Sequence, residues 1–360
     1  MPGICIFESP DPPSLWRVSA TSNTSDRSKS SFMKTRRVKI IFWNNDQRRL
    51  RAGWRLLIQF VLFFALLVLA VFLDNFIDDL FGQLPRHPWF GKGDSILLPM
   101  EMLAATLLSM WFSGRFLDRR RFSDFGVRFS SSWWVDLGFG FVLGAILMGI
   151  IFLIHLGMDW AIISGTLRSE MPGATFRTSM LLAVGSIICM AAQEELHSRG
   201  YQLKNLAEGL NSPRLGSKAA AALAVVIIAI SFGAFHYDAD AGMISVYALI
   251  IAGLLYAVSF ALTGELAIPI GFHIAWNFFE GCVFGFPVSG VDMGANFIAL
   301  QETGPDLWTG GAFGPETGLL GIFGHLLGLL FIVVWVRYRR GKIDVQERLL
   351  TPTLLAGKNR

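Results

Sequence analysis

The stretch SMLLAVGSIICMAAQEELHSRGYQ, residues 179–202, decides how this chain is read. Residues 179–193 carry no charge, and then Glu194, Glu195 and Arg199 follow on the same helical run. A charge at the centre of a bilayer costs about 3 kcal/mol on insertion scales, so charges carried into an apolar span are by default functional or tightly paired. The run predicts a helix that enters a membrane and brings a polar group with it.

The rest of the chain agrees. Of 360 residues, 53% are hydrophobic and only 16% charged, a balance that a soluble domain does not show. Apolar windows long enough to cross about 30 Å of hydrocarbon lie near 56–73, 95–113, 133–156, 178–206, 219–236, 243–262, 266–286 and 318–336. The expected fold is an all-α, polytopic transmembrane helix bundle of about eight spans. Basic residues near span ends stay on the cytoplasmic side. They cluster before the first span (Lys34, Arg36, Arg37, Arg48, Arg49, Arg51), in the second connection (Arg115, Arg119, Arg120, Arg121, Arg128), in the fourth (Lys204, Arg214, Lys218) and in the tail from Arg337. Both termini are therefore expected in the cytoplasm, and the layout suits a bacterial inner membrane. The net charge of +4 is a topology signal that makes the lipid bilayer the partner and excludes nucleic acid. Cys5, Cys189 and Cys282 lie too far apart in sequence for a disulfide framework or a CxxC metal site.

Three regions are expected: a disordered basic arm over 1–45, in which Met33 is an alternative start, a membrane domain over 46–337, and a cytoplasmic tail over 338–360. The connection near 114–136 reads as a loop or surface helix with Trp133 and Trp134 at the interface. Gly138, Gly140, Gly144 and Gly149 allow another helix to come close. The Gly- and Pro-rich segment 284–318 reads as an extracytoplasmic loop over the mouth of the bundle.

Polar residues inside the apolar windows are few and grouped. Glu195 and Arg199, at i and i+4, share a helix face and read as a structural pair. Glu194 is turned about 100° away from Glu195 and is left without a local partner. Phe232 and His236 end the fifth window, and His273 and Asn277 present an imidazole and a carboxamide on one face of the seventh. A desolvated carboxylate works near neutrality as a general base. Glu194 would take a proton from a water held by His236, and His273 with Asn277 would donate to the oxyanion formed at a peptide carbonyl. Glu194, His236 and His273 are equally a ligand set for zinc or another divalent metal, and the sequence does not separate a water held by histidine from a water held by metal. His325 reads as an imidazole bonded to a backbone carbonyl, whereas His87, His155 and His197 are expected near solvated interfaces. On straight helices His236 lies ~27 Å from residue 218 but His273 only ~10 Å from residue 266, so the fifth span must tilt, begin deeper or break, or the span boundaries shift by several residues.

EELHSR (194–199), FGAFH (232–236) and HIAWN (273–277) resemble the EExxxR, FxxxH and HxxxN motifs of the CAAX protease and bacteriocin-processing (CPBP) intramembrane proteases, which include the Ras-converting CAAX prenyl proteases. The resemblance covers roughly 178–286. It implies an endopeptidase with its site inside the membrane, Glu194 as base, His236 positioning the water, His273 and Asn277 stabilising the oxyanion, and Glu195, Arg199 and Phe232 in support. The substrate is expected to be a membrane-anchored protein or peptide. Two other classes compete: a proton-coupled transporter, in which the same residues relay protons, and a catalytically silent immunity or scaffold protein, for which Glu194→Gln would change nothing.

Overall fold

The computed structural model describes residues 42–81, 97–171, 173–351 and 354; most of the N-terminal arm, with Cys5 and Met33, and also His87, lie outside them. The fold is mostly helical with little sheet. Among the described residues nine α-helices of seven residues or more carry it: α1 Ala52–Phe81, α2 Leu98–Phe112, α3 Ser131–Gly157, α4 Phe176–Glu195, α5 Lys204–Leu210, α6 Ser217–Phe235, α7 Met243–Thr263, α8 Ala267–Asn277 and α9 Leu319–Arg340. A π-helical stretch, Leu196–Leu203, joins α4 to α5, and similar stretches prolong α2 (Ser113–Asp118) and α8 (Phe278–Val283).

Among the described residues six helices are long and apolar enough to cross a membrane: 52–77, 131–157, 176–210, 217–235, 243–263 and 319–340. The chain is thus a multi-pass membrane protein. The other two expected windows fall on α2 and α8, whose α-helical parts of 15 and 11 residues are each shorter than a span and are prolonged by their π-helical stretches. For α8 the reason is position. Every residue from Ala267 to Asn277 except Ile274 is buried, so α8 is a central strut among other helices.

Glycines set how closely that strut is gripped. A methyl group on Gly271 would overlap the Leu137 carbonyl oxygen, and one on Gly144 would sit 2.8 Å from the Phe272 carbonyl oxygen. Gly140 is equally close to the backbone of Ile268. Two of the four predicted packing glycines therefore make the α3–α8 contact. Gly138 and Gly149 face nothing within 4 Å. In the same way Gly233 meets the Val246 carbonyl and Gly253 meets Ala229, drawing α6 onto α7. The hydrophobic core around α8 includes Leu147, Leu255, Phe272, Trp276 and Ile332. α7 ends at Gly264, whose φ of 66° is open to glycine at no steric cost, and this permits the immediate turn into α8.

Other expectations are corrected. The 284–318 connection is ordered: β2, Ala295–Glu302, pairs antiparallel with β1, Ala161–Ser169, with Ala161 opposite Glu302 and Ser169 opposite Ala295. Trp133 is buried and donates to the Gly126 carbonyl at 3.1 Å, so of the two tryptophans only Trp134 is exposed. His155 is fully buried on the Ile151 carbonyl, and His197 sits between Gln59 and Gln202. His197 has protein partners on both ring nitrogens, whereas His155 is bonded through Nδ1 only and its Nε2 is buried without a partner. The folded chain begins before residue 46, because Trp43–Asn44 pairs with Arg49–Leu50. The tail returns to the bundle, with the Gln346 amide on the Ala261 carbonyl and Leu349 buried.

Candidate active site

Glu194 and Glu195 close α4 at the point where the i→i+4 ladder gives way to π turns. Single π turns concentrate at functional sites because they re-aim side chains that a uniform helix would stack. Glu195 is fully buried. Its Oε1 accepts from Arg199 Nη1 at 3.0 Å and from His273 Nδ1 at 3.1 Å. The pair read from i,i+4 spacing is present, and it has a third member that spacing could not show: Glu195 orients the His273 ring. Arg199 in turn lies over the Phe232 ring at 4.3 Å and the Tyr256 ring at 5.0 Å. Its charge is spent on a carboxylate and two aromatic faces before it can reach the cavity beyond.

Glu194 faces the other way. Its Oε2 is buried without a hydrogen-bond partner and lies 4.0 Å from His273 Nε2. His236 caps the C-terminus of α6, and its Nδ1 donates to the Phe232 carbonyl at 2.7 Å, which leaves Nε2 as the free nitrogen. His273 stacks on Tyr256 with ring centroids 4.9 Å apart and planes 16° apart. Phe232 stands 6.4 Å from His273, between it and His236.

Glu194, Phe232, His236, His273 and Asn277 line one cavity of about 350 Å³, together with Tyr256, Ser289, Phe313 and Glu316. The depth mismatch between the two histidines is resolved by α8: Leu266, Ala267 and Ile268, at its start, are completely buried, so this helix begins well inside the molecule. His325 is bonded to the Gly321 carbonyl at 2.9 Å, as its solitary setting suggested, and it reaches the cavity wall beside Trp276.

Tyr256, Ser289 and Glu316 have no counterpart in the sequence reading. Tyr256 is one aromatic residue in an apolar span, and Glu316 lies far along a loop, so neither carries a local signal. Glu316 is nearly completely buried and accepts from the Ser289 amide at 2.8 Å and hydroxyl at 2.6 Å. Burial, the largest influence, raises its pKa above the ordinary glutamate value, while the Ser289 donors work in the opposite direction.

Among the described residues no three His, Cys, Asp or Glu side chains gather as a metal ion would require. His236 gives Nδ1 to a carbonyl and His273 gives Nδ1 to Glu195, which fixes both rings and leaves each Nε2 free toward the cavity. The cavity does offer a carboxylate with a free oxygen, two imidazoles and a carboxamide around a space larger than one water, the inventory of a hydrolytic site.

Residues 176–279 match the family model described as Rce1-like, type II CAAX prenyl endopeptidase Rce1-like. No curated protein matches the chain.

Proposed function

We propose that this chain, whose residues 176–279 match the Rce1-like model of type II CAAX prenyl endopeptidases, hydrolyses a peptide bond of a membrane-anchored protein or peptide by means of a water activated by Glu194. The observation that carries the reading is the convergence of Glu194, His236, His273 and Asn277, from three separate helices, on one cavity.

His236 Nε2 accepts a hydrogen from the water and holds it. Glu194 removes its other proton as the oxygen attacks the scissile carbonyl, and the carbonyl π pair moves onto oxygen. The resulting oxyanion receives hydrogen bonds from the Asn277 carboxamide and from His273 Nε2. Donation from Nε2 requires a hydrogen there while Nδ1 also carries one toward Glu195, that is, an imidazolium, and the Glu194 and Glu195 carboxylates are the counter-charges it needs. Collapse of the intermediate breaks the C–N bond as Glu194 returns its proton to the leaving nitrogen, so the carboxylate ends the cycle ionised. No metal or cofactor enters any step.

Both termini lie on the cytoplasmic side in this reading, and the cavity opens on the opposite face, toward the 284–318 segment. The distribution of basic residues supports that orientation.

The test is cleavage of membrane-anchored peptides by purified protein in proteoliposomes. Glu194→Gln is expected to lower kcat by roughly a hundredfold to ten-thousandfold, the usual worth of a general base, and chelator is expected to leave the wild type unchanged. Equal cleavage by Glu194→Gln would sink the reading, and loss with chelator would replace it with a metal-dependent one.

A further inference from the structure

The wall of the cavity is one-sided in charge. Glu194, Asp238 and Glu316 contribute three carboxylates, and no lysine or arginine lines it. Arg199, behind Phe232 and Tyr256, is already neutralised by Glu195. The sequence keeps cations away on a larger scale: from Lys218 to Arg337 there is no lysine or arginine at all, although that segment builds most of the cavity.

Glu316 differs from the other two acids. Its residue is only 5% exposed, its Oε1 is taken by the Ser289 amide and hydroxyl, and its Oε2 has no partner among the described residues although the side chain lines the cavity. The loop that holds it is built to fixed geometry. Ser289 sits at φ 48°, in the left-handed region that a residue with a Cβ seldom enters, and this turns its N–H toward Glu316. On the other side, methyl groups on Gly314 or Gly318 would overlap the carbonyl oxygens of Pro287 and Trp308, so the strand of chain bearing Glu316 is locked against its neighbours. A buried carboxylate with an unpartnered oxygen is costly unless a cation meets it. Among the described residues no lysine or arginine supplies one, and the imidazoles that act on Glu316 are those of His236 and His273.

We propose that Glu316 is a specificity residue that receives a lysine or arginine side chain of the substrate, next to the scissile bond. The proposal rests on the hydrolytic reading of the same cavity and narrows it to a basic peptide class. The pairing needs no chemistry of its own: the cation's N–H groups donate to Glu316 Oε2, and the apolar stem of the side chain packs on Phe313, Val288 and Val291, which line the same wall. A substrate presented by its own C-terminal carboxylate would meet three acids and no lysine or arginine, with His273 already held between Glu194 and Glu195, and like-charge juxtaposition of that kind disfavours binding.

The experiment uses the full chain in nanodiscs and three N-lauroylated peptides that differ at one central position, Lys, Gln or Glu, with binding read by fluorescence anisotropy. The wild type is expected to bind the Lys peptide about tenfold tighter than the Gln peptide, with the Glu peptide weakest, a gap in keeping with a charge-assisted pair. Glu316→Gln, which keeps an acceptor for Ser289, is expected to bring the Lys-to-Gln ratio close to one. Equal binding of the Lys and Gln peptides by wild type, preference for Glu, no binding of any of the three, or a parallel loss on all three in the variant each overturns the proposal. The wild-type series decides even if the variant fails to fold. Cleavage of the same peptides is measured separately with Glu194→Gln. If that variant cleaves like wild type, the hydrolytic reading fails while the binding series still reports the charge preference.

Discussion

Glu194 and Glu195 are neighbours in sequence, and about 100° of helix rotation gives them opposite surroundings. Glu195 has three strong interactions to lose: Arg199, His273 and, through Arg199, the Phe232 and Tyr256 rings. Glu195→Ala leaves Arg199 buried with no counter-charge, and a cost of about 3–5 kcal/mol is expected. Glu195→Gln combined with Arg199→Met removes both charges and should recover much of that loss. A double-mutant cycle on denaturant unfolding in mixed micelles checks this, and strictly additive losses would contradict the pairing. The i,i+4 rule made the pair legible, as it did His273 with Asn277. It could not show His273 on Glu195, because that contact joins helices 78 residues apart. Glu316 yields a prediction of opposite sign to the usual carboxylate. Its folded pKa is raised, chiefly by burial, so the folded state holds its proton above the pH at which the unfolded chain releases it. The stability it contributes is full below the ordinary glutamate range and is lost as pH rises through the raised folded value. Glu316→Gln should therefore flatten the fall in thermal stability over that window, and an unchanged pH slope would show that Glu316 ionises freely.

Helices rather than residues decide which glycines matter. From sequence, the glycines of GFGFVLGAILMG are equivalent candidates for close packing. In the fold only Gly140 and Gly144 point at α8, and the complementary Gly271 sits in a span where nothing marks it. A helix reports its own period, but a contact also depends on the rotation and depth of its neighbour. Gly271→Ala would drive a methyl group into the Leu137 carbonyl and is expected to cost about 1–3 kcal/mol or more. Gly138→Ala and Gly149→Ala, with open space around them, should be neutral or slightly stabilising through helix propensity. Thermal denaturation of the three variants in detergent separates them, and equal losses would contradict the α3–α8 contact. The π stretches after Glu195 and after Asn277 were illegible for a related reason. Their side chains satisfy α and π spacing about equally, and the surrounding packing selects between them. β1 and β2 were missed because each forms only against the other, and about 130 residues of chain lie between them.

At the scale of the molecule, hydrophobic windows located every long helix to within a few residues, since the membrane requirement acts on each span independently. They did not show what holds the spans together. α1 is the clearest case: only 11% of its apolar window is buried inside the protein, so helix packing alone attaches it weakly. Its N-terminal end is tied instead by charge. Arg49, Arg55 and Arg120 all converge on Glu208, Arg55 also reaches Asp118 at 2.6 Å, and Tyr201 donates to the same Asp118 at 2.8 Å. Burial, followed by the Arg55 charge, lowers the Arg49 pKa to about 10, so its guanidinium remains charged at neutral pH and depends on the acids beside it. Glu208→Gln would leave three buried cations facing one carboxylate. Removing one partner from a buried ion cluster costs about 3–5 kcal/mol, and here the loss falls on the one strong attachment of α1. Local opening of residues 48–55 should rise by roughly a hundredfold or more, since each 1.4 kcal/mol is a factor of ten. Limited trypsin digestion at Arg48, Arg49 and Arg51 reads that opening directly. Asp344→Asn, which breaks only an exposed pair with Lys218, should leave the digestion rate unchanged. Equal protection of Glu208→Gln and wild type would mean that lipid contact, rather than this cluster, holds α1 in place.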